Sequence, residues 1–139
     1  MTSGLIQILI ADANVQTAVG QFEGKYKIYP VVAPQKAPQV FVTIKKRAND
    51  PILSKDCFST MDTSEYELHV WSKEGFRETE IVHEICRRAL ETGSFVQTDV
   101  CDFRKIWMTN DFDDFDQTLQ MYCHVGIYQA NVIRIADES

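Results

Sequence analysis

The sequence is poor in the residues from which most active sites are built. It has three histidines (His69, His83, His124) and four cysteines (Cys57, Cys86, Cys101, Cys123), the cysteines far apart from one another. There is no CxxC and no Cys–His spacing of the finger type, which removes the usual sequence signature of a structural zinc domain. Phosphate-binding loops, GxGxxG, GxSxG and HExxH are all missing, so nucleotide, hydrolase and metalloprotease readings lose their motifs. No apolar run approaches the ~18 residues that a membrane span needs. The first residues lack a basic stretch leading into an apolar block and a small-residue cleavage site, so no signal peptide is expected. Without an export leader, the scattered thiols read as reduced cysteines serving as small hydrophobes.

Positive charge is also scarce. Lys and Arg number 14 against 20 Asp and Glu, a formal net charge of −6, and "KKR" at 45–47 is the densest basic cluster. Gripping nucleic acid requires a concentrated basic footprint, so that class is disfavoured. A surface that DNA passes without sticking is compatible with this balance.

What remains is an ordinary globular composition. The 139 residues suit a single domain, 1–139, able to bury roughly two-thirds of its unfolded surface without staples. "LIQILIADANVQTAVG" spaces Leu5, Ile6, Leu9, Ile10, Ala13 and Val19 as one amphipathic helix, capped by Thr2 or Ser3 and ended by Gly20. Three of the four prolines (Pro30, Pro34, Pro38) fall in nine residues before "VFVTI", whose alternation reads as a strand. Proline fixes φ near −65° and removes a donor, so this stretch reads as a stiff connector protected against sheet extension.

The polar stretch 49–63 reads as a long loop, of a length that is usually functional or disordered until bound. "SEYELHVW" alternates Tyr66, Leu68 and Val70 toward a core. A second helix between Ser72 as cap and Gly93 as stop carries Phe76, Ile81, Val82, Ile85, Cys86, Ala89 and Leu90 as its stripe. "VCDFRKIWM" and "TLQMYCHVGIYQ" give two more strands around a turn at "TNDFDDFDQ". In the last strand Leu119, Met121, Cys123, Val125 and Ile127 share one face. Gln120, Tyr122, His124 and Tyr128 share the other, expected to be wet or to meet a partner. A short polar tail, 136–139, follows. The order predicts an α+β fold: an antiparallel four-stranded or slightly larger sheet, with two main helices on one face.

Chemistry is sparse. His69 and His124 on neighbouring strands could share a metal with Glu67, but zinc sites usually need three or four converging ligands, and surface sheet residues are the simpler reading. His83 is expected on a solvated helix face. Asp111, Asp113, Asp114 and Asp116 lack the glycine and distal glutamate of a calcium loop, and read as an acidic hairpin tip. Phe112 and Phe115 on that tip fold back on the core or dock onto a neighbour. Trp71 and Trp107 read as core or interface anchors. No catalytic residue, metal or cofactor is assigned.

The succession "LIQILIADANVQTAVG", "KIYPVVAPQKAPQVFVTI", "SEYELHVWSKEGFRETEIVHEICRRAL" and "DDFDQTLQMYCHVGIYQ" resembles the tail-completion (tail terminator, tail-to-head joining) proteins of long-tailed bacteriophages, over residues 5–128. "VGQFEGKYKIYP" is longer than that pattern, and Phe41 stands where Tyr is common. The resemblance implies a non-enzymatic virion protein, made in the bacterial host cytoplasm, that assembles with itself into a ring, usually hexameric. Its partners would be the tail tube protein and the head connector, with DNA passing through the lumen and no membrane involved. The candidate interface loop is Asn49, Asp50, Pro51, Ile52, Leu53, Lys55, Asp56 and Phe58. The candidate lumen or interface tip is Asp111, Phe112, Asp113, Asp114, Phe115 and Asp116. The family-like connector is Tyr29, Pro30, Pro34, Gln35 and Pro38. Two alternatives stay open: a head-completion ring protein, and a cytosolic ligand-binding domain using a sheet face with His69, Tyr122 and His124.

Overall fold

The computed structural model describes residues 2–22, 24–30, 40–51, 61–92 and 101–134. The first helix is in fact two: α1 (Thr2–Ile10) and α2 (Ala13–Val19). Asp12 makes the break. Its backbone is extended (φ −90°, ψ 123°), and its carboxylate accepts from the amides of Asn14 and Val15 at 2.9 and 3.1 Å, capping a fresh helix. Gly20, at φ 69°, ends α2 in a conformation that side chains resist. Leu5, Leu9, Val15 and Val19 are buried.

A small hairpin follows, β1 (Gln21–Phe22) with β2 (Lys25–Tyr26). The main sheet holds β3 (Ile28–Pro30), β4 (Phe41–Pro51), β5 (Met61–Ser72), β6 (Cys101–Asp116) and β7 (Met121–Arg134), in the order β3-β4-β5-β7-β6. The expected antiparallel arrangement holds for the last four strands and fails at one edge. There β3 runs parallel to β4, pairing Ile28 with Val42, Tyr29 with Thr43 and Pro30 with Ile44. Tyr29 and Pro30 are thus edge-strand residues, a place that tolerates a missing N–H donor. Pro34, Gln35 and Pro38 lie outside the described residues.

Strands also invade both ends of the expected loop 49–63. Asn49, Asp50 and Pro51 pair with Ser64, Thr63 and Asp62, while Met61, Asp62 and Thr63 pair with Ile133, Val132 and Asn131. Ladder pairing on both sides of β5 outweighs the turn preference of Asn, Asp and Ser. Ile52, Leu53, Lys55, Asp56 and Phe58 lie outside the described residues. The expected aspartate tip is corrected similarly: 111–116 complete β6, and the turn is 117–120.

Helix α3 (Phe76–Thr92) lies on the sheet. Ser72 precedes it by a turn, accepting from the Glu74 amide at 2.9 Å and donating to Glu78 at 2.6 Å, so it ties the β5–α3 connection without being the immediate cap. Gly93 lies outside the described residues. The buried stripe is Thr79, Val82, His83, Cys86, Ala89 and Leu90, rotated from expectation: Ile81 is 52% exposed, and His83 takes a core place. This stripe meets Leu5 and Leu9 from α1, Val15 and Val19 from α2, and Val42, Ile44, Leu68 and Val70 from the sheet. Full burial of Leu90 alone is worth about 2 kcal/mol.

Candidate functional site

Strand β7 lies inside the sheet between β5 and β6, and its alternation decides which side chains meet α3. Pairing sets Tyr122, His124, Gly126 and Tyr128 beside Ser72, Val70, Leu68 and Tyr66, which is the helix-covered face. The expectation placed these residues on a face that is wet or meets a partner; the chain's own helix covers it instead. Met121, Cys123 and Val125 point to the other side, yet they are buried too.

Beneath α3 this arrangement gathers a polar cluster. His83 and His124 are 3% and 6% exposed, and their rings lie 4.4 Å apart. Two carboxylates come from β6, where Asp111 stands opposite Gly126 and Asp113 opposite His124. Asp113 contacts His124 Nδ1 at 2.7 Å, and Asp111 contacts its Nε2 at 3.0 Å. Both ring nitrogens of His124 therefore face a carboxylate from β6. His83 Nε2 lies 3.0 Å from the Tyr128 hydroxyl. Burial, reinforced by His124 and partly opposed by Asp111, lowers the His83 pKa to about 4. That neutral ring shares a hydrogen bond with the Tyr128 hydroxyl, and burial pushes the phenol pKa well above its usual range.

Gly126 is a condition of this site. A Cβ there would lie 2.2 Å from His83 Nε2 and 2.9 Å from the Tyr128 ring. Glycine is needed because the imidazole descends onto the strand backbone itself. An aromatic group continues the site along the sheet: Phe115 packs edge-on to Tyr122 at 5.0 Å, and Phe76 does so at 4.7 Å. Phe115 thus folds back toward the helix side. Phe112, opposite Val125, faces the other way and is 46% exposed.

The opposite face carries a second constellation. His69 Nε2 meets Glu67 at 2.8 Å, and its Nδ1 lies 3.4 Å from Cys123 Sγ. Glu67 also pairs with Arg47 at 3.0 Å and Lys45 at 3.8 Å. Burial pushes the Glu67 pKa up, but the His69 hydrogen bond and these cations together bring it below the usual range. The order Cys–His–Glu resembles a nucleophilic triad, but the chemistry opposes one. The thiol is buried, and burial together with nearby aspartates raises its pKa to about 12. A nucleophilic cysteine needs the reverse shift. Trp71 stacks on both His69 and Phe41 and donates to the Thr43 hydroxyl at 3.0 Å, closing this patch as packing.

A metal shared by His69 and His124, the less favoured reading of the sequence, does not form, and the preferred reading of both as surface residues fails for the buried His124. His69 stands opposite Val125 and His124 opposite Val70, so the two rings lie on opposite faces. The ligand pocket built on His69, Tyr122 and His124 fails for the same reason. Sequence reasoning missed His83 and the strand character of Asp111 and Asp113. Both had a signal: His83 lies four residues after Thr79 and three before Cys86, and Asp111–Phe112–Asp113 alternates with period two.

No family model matches the sequence, and no curated protein does. Among solved structures, the fold is similar to a chain from the "Virion of native gene transfer agent (GTA) particle", with a TM-score of 0.72 at 17% identity. The likeness covers 95% of this chain and 97% of that one. At that identity the comparison establishes a shared fold.

Proposed function

We propose that this chain is a structural virion protein of the tail-completion type. It forms a ring, hexameric in our reading, at the head-proximal end of a phage tail. There it ends tube growth and joins the tail to the head connector, with DNA crossing the lumen without specific contact. The observation that carries the reading is the near full-length fold likeness to a chain of a phage-like virion particle. It agrees with a resemblance drawn independently from residue order.

The surface supports the same reading. Strand β6 is a sixteen-residue edge, and such an edge offers unpaired backbone to a neighbour. Its far half bears Asp111, Asp113, Asp114 and Asp116, while the exposed Lys45, Lys46 and Arg47 lie on β4 toward the other edge. Opposite charge at opposite edges suits a head-to-tail contact that closes into a ring. Leu119, Phe112 and Phe115, all exposed at the end of the β6–β7 hairpin, supply apolar area for that contact or for the adjoining ring. The net charge of −6 suits a lumen that does not hold the phosphate backbone.

A null allele in the parent phage tests this directly. The expected lysate holds filled heads, and separate tails of irregular length. Joined, infectious particles from cells lacking the chain would overturn the assignment.

A further inference from the structure

We propose that His83, Asp111 and His124 form a binding site for a divalent transition-metal cation of the zinc class, clipping α3 to the β6–β7 ladder. The inference is independent of the ring assignment. One ligand atom from each residue is available, and these atoms all lie within 4.8 Å of one another. Donors around tetrahedral zinc sit at ~2.0–2.2 Å from the ion, so they stand roughly 3.3 Å apart. His124 Nε2 and Asp111 Oδ2 are already 3.0 Å apart. Bringing the set from within 4.8 Å to about 3.3 Å takes a His83 ring movement of up to roughly 1.5 Å, in which an Nε2 ligand gives up its Tyr128 bond.

Three further features fit a built site. Asp113 holds His124 Nδ1 at 2.7 Å, the carboxylate–histidine support that fixes tautomer and ring orientation behind a metal ligand. Gly126 leaves the room in which the His83 ring lies against the strand. The ligands come from three elements, two of them buried histidines and one a half-exposed aspartate, so solvent can take the fourth coordination place. Two imidazoles and one carboxylate select zinc, nickel or iron over magnesium and calcium, which prefer all-oxygen sites. A doubly charged ion would also balance the two aspartates around His124.

The test uses the full-length chain, stripped with chelator and dialysed against Zn²⁺ or Mg²⁺. The expected result is about one zinc and no magnesium retained per chain. A rise in Tm of about 8–10 °C is expected once free zinc exceeds Kd roughly a hundredfold. Asp111→Ala, chosen because Asp111 is half exposed and not part of the core, should fold like the parent and lose both retained zinc and the Tm rise. Cobalt loading should give low-coordinate d–d bands without thiolate charge transfer, since no cysteine is a ligand. No zinc retention, retention unaffected by Asp111→Ala, or a thiolate band each overturns the site.

Discussion

His124 and His69 sit on neighbouring strands, one residue out of register, and look out of opposite faces of one sheet. Both rings contact carboxylates, and both have a potential nucleophile or ligand nearby. Their surroundings separate them. Around His124, α3 closes over the site and brings His83, so two buried imidazoles and two part-exposed carboxylates converge. Around His69, the carboxylate is shared with Arg47 and Lys45, and the thiol partner is packed shut. The side chains on the sheet are alike, and what is laid over them decides whether they form a site.

The sharpest way to break this contrast is to find Cys123 reactive. If the outer constellation is packing only, alkylation of Cys123 must wait for unfolding. Its rate in the native chain should fall about 10³-fold below that in urea, a protection of roughly 4 kcal/mol. Mass spectrometry of the labelled peptide reads this directly. Labelling at the rate of a free thiol would mean that Cys123 is not packed shut, and labelling faster than that would mean that the Glu67–His69–Cys123 order activates it.

On the inner face the largest expected effect belongs to Gly126→Ala. The new methyl would stand 2.2 Å from His83 Nε2, so the ring or the strand must move. Overpacking of this kind costs about 3 kcal/mol, measurable by urea unfolding. Truncating His83 in the same chain should return part of the loss, a coupling of about 1–2 kcal/mol. A single substitution costing less than about 0.5 kcal/mol would show that α3 does not press on β7 as described.

These residues also show how far sequence alone reaches. The α+β class, the strand pairs and the long helix were legible because Tyr66, Leu68, Val70, Val82, Cys86 and Leu90 keep the periods of a strand and a helix. The face of β7 was not legible. Met121, Cys123, Val125 and Ile127 look like the core by hydrophobicity, whereas the helix side carries Tyr122, His124, Gly126 and Tyr128. That choice follows from how closely α3 approaches, a tertiary fact that hydrophobic alternation cannot carry. The break at Asp12 was legible in principle, because aspartate before "ANV" is a good N-cap. The unbroken apolar spacing on either side concealed it. The aspartates of 111–116 were read by type rather than by period, which turned a strand into a turn.

A smaller effect tests the inner network without disturbing its packing. Tyr128→Phe keeps the ring and removes the hydroxyl hydrogen-bonded to His83 Nε2 at 3.0 Å. Losing one partner of a buried hydrogen bond should cost about 1–2 kcal/mol in urea unfolding. No loss would mean that His83 finds another partner beneath α3, which would loosen the picture of a closed site.

The smallest effect is expected at His69, and it completes the comparison. His69→Ala removes a stack on Trp71 at 5.7 Å and a hydrogen bond to Glu67 at 2.8 Å. Glu67 keeps Arg47 at 3.0 Å, so its charge is not stranded. The pair is partly buried, at 20% and 19% side-chain exposure, but water and salt still reach it, and its loss is expected to cost about 0.5 kcal/mol. Urea unfolding should therefore barely separate His69→Ala from the parent. If His69→Ala instead costs as much as Gly126→Ala, the outer face carries a network as closed as the inner one. The difference between the two faces would then have to come from a layer over the outer sheet.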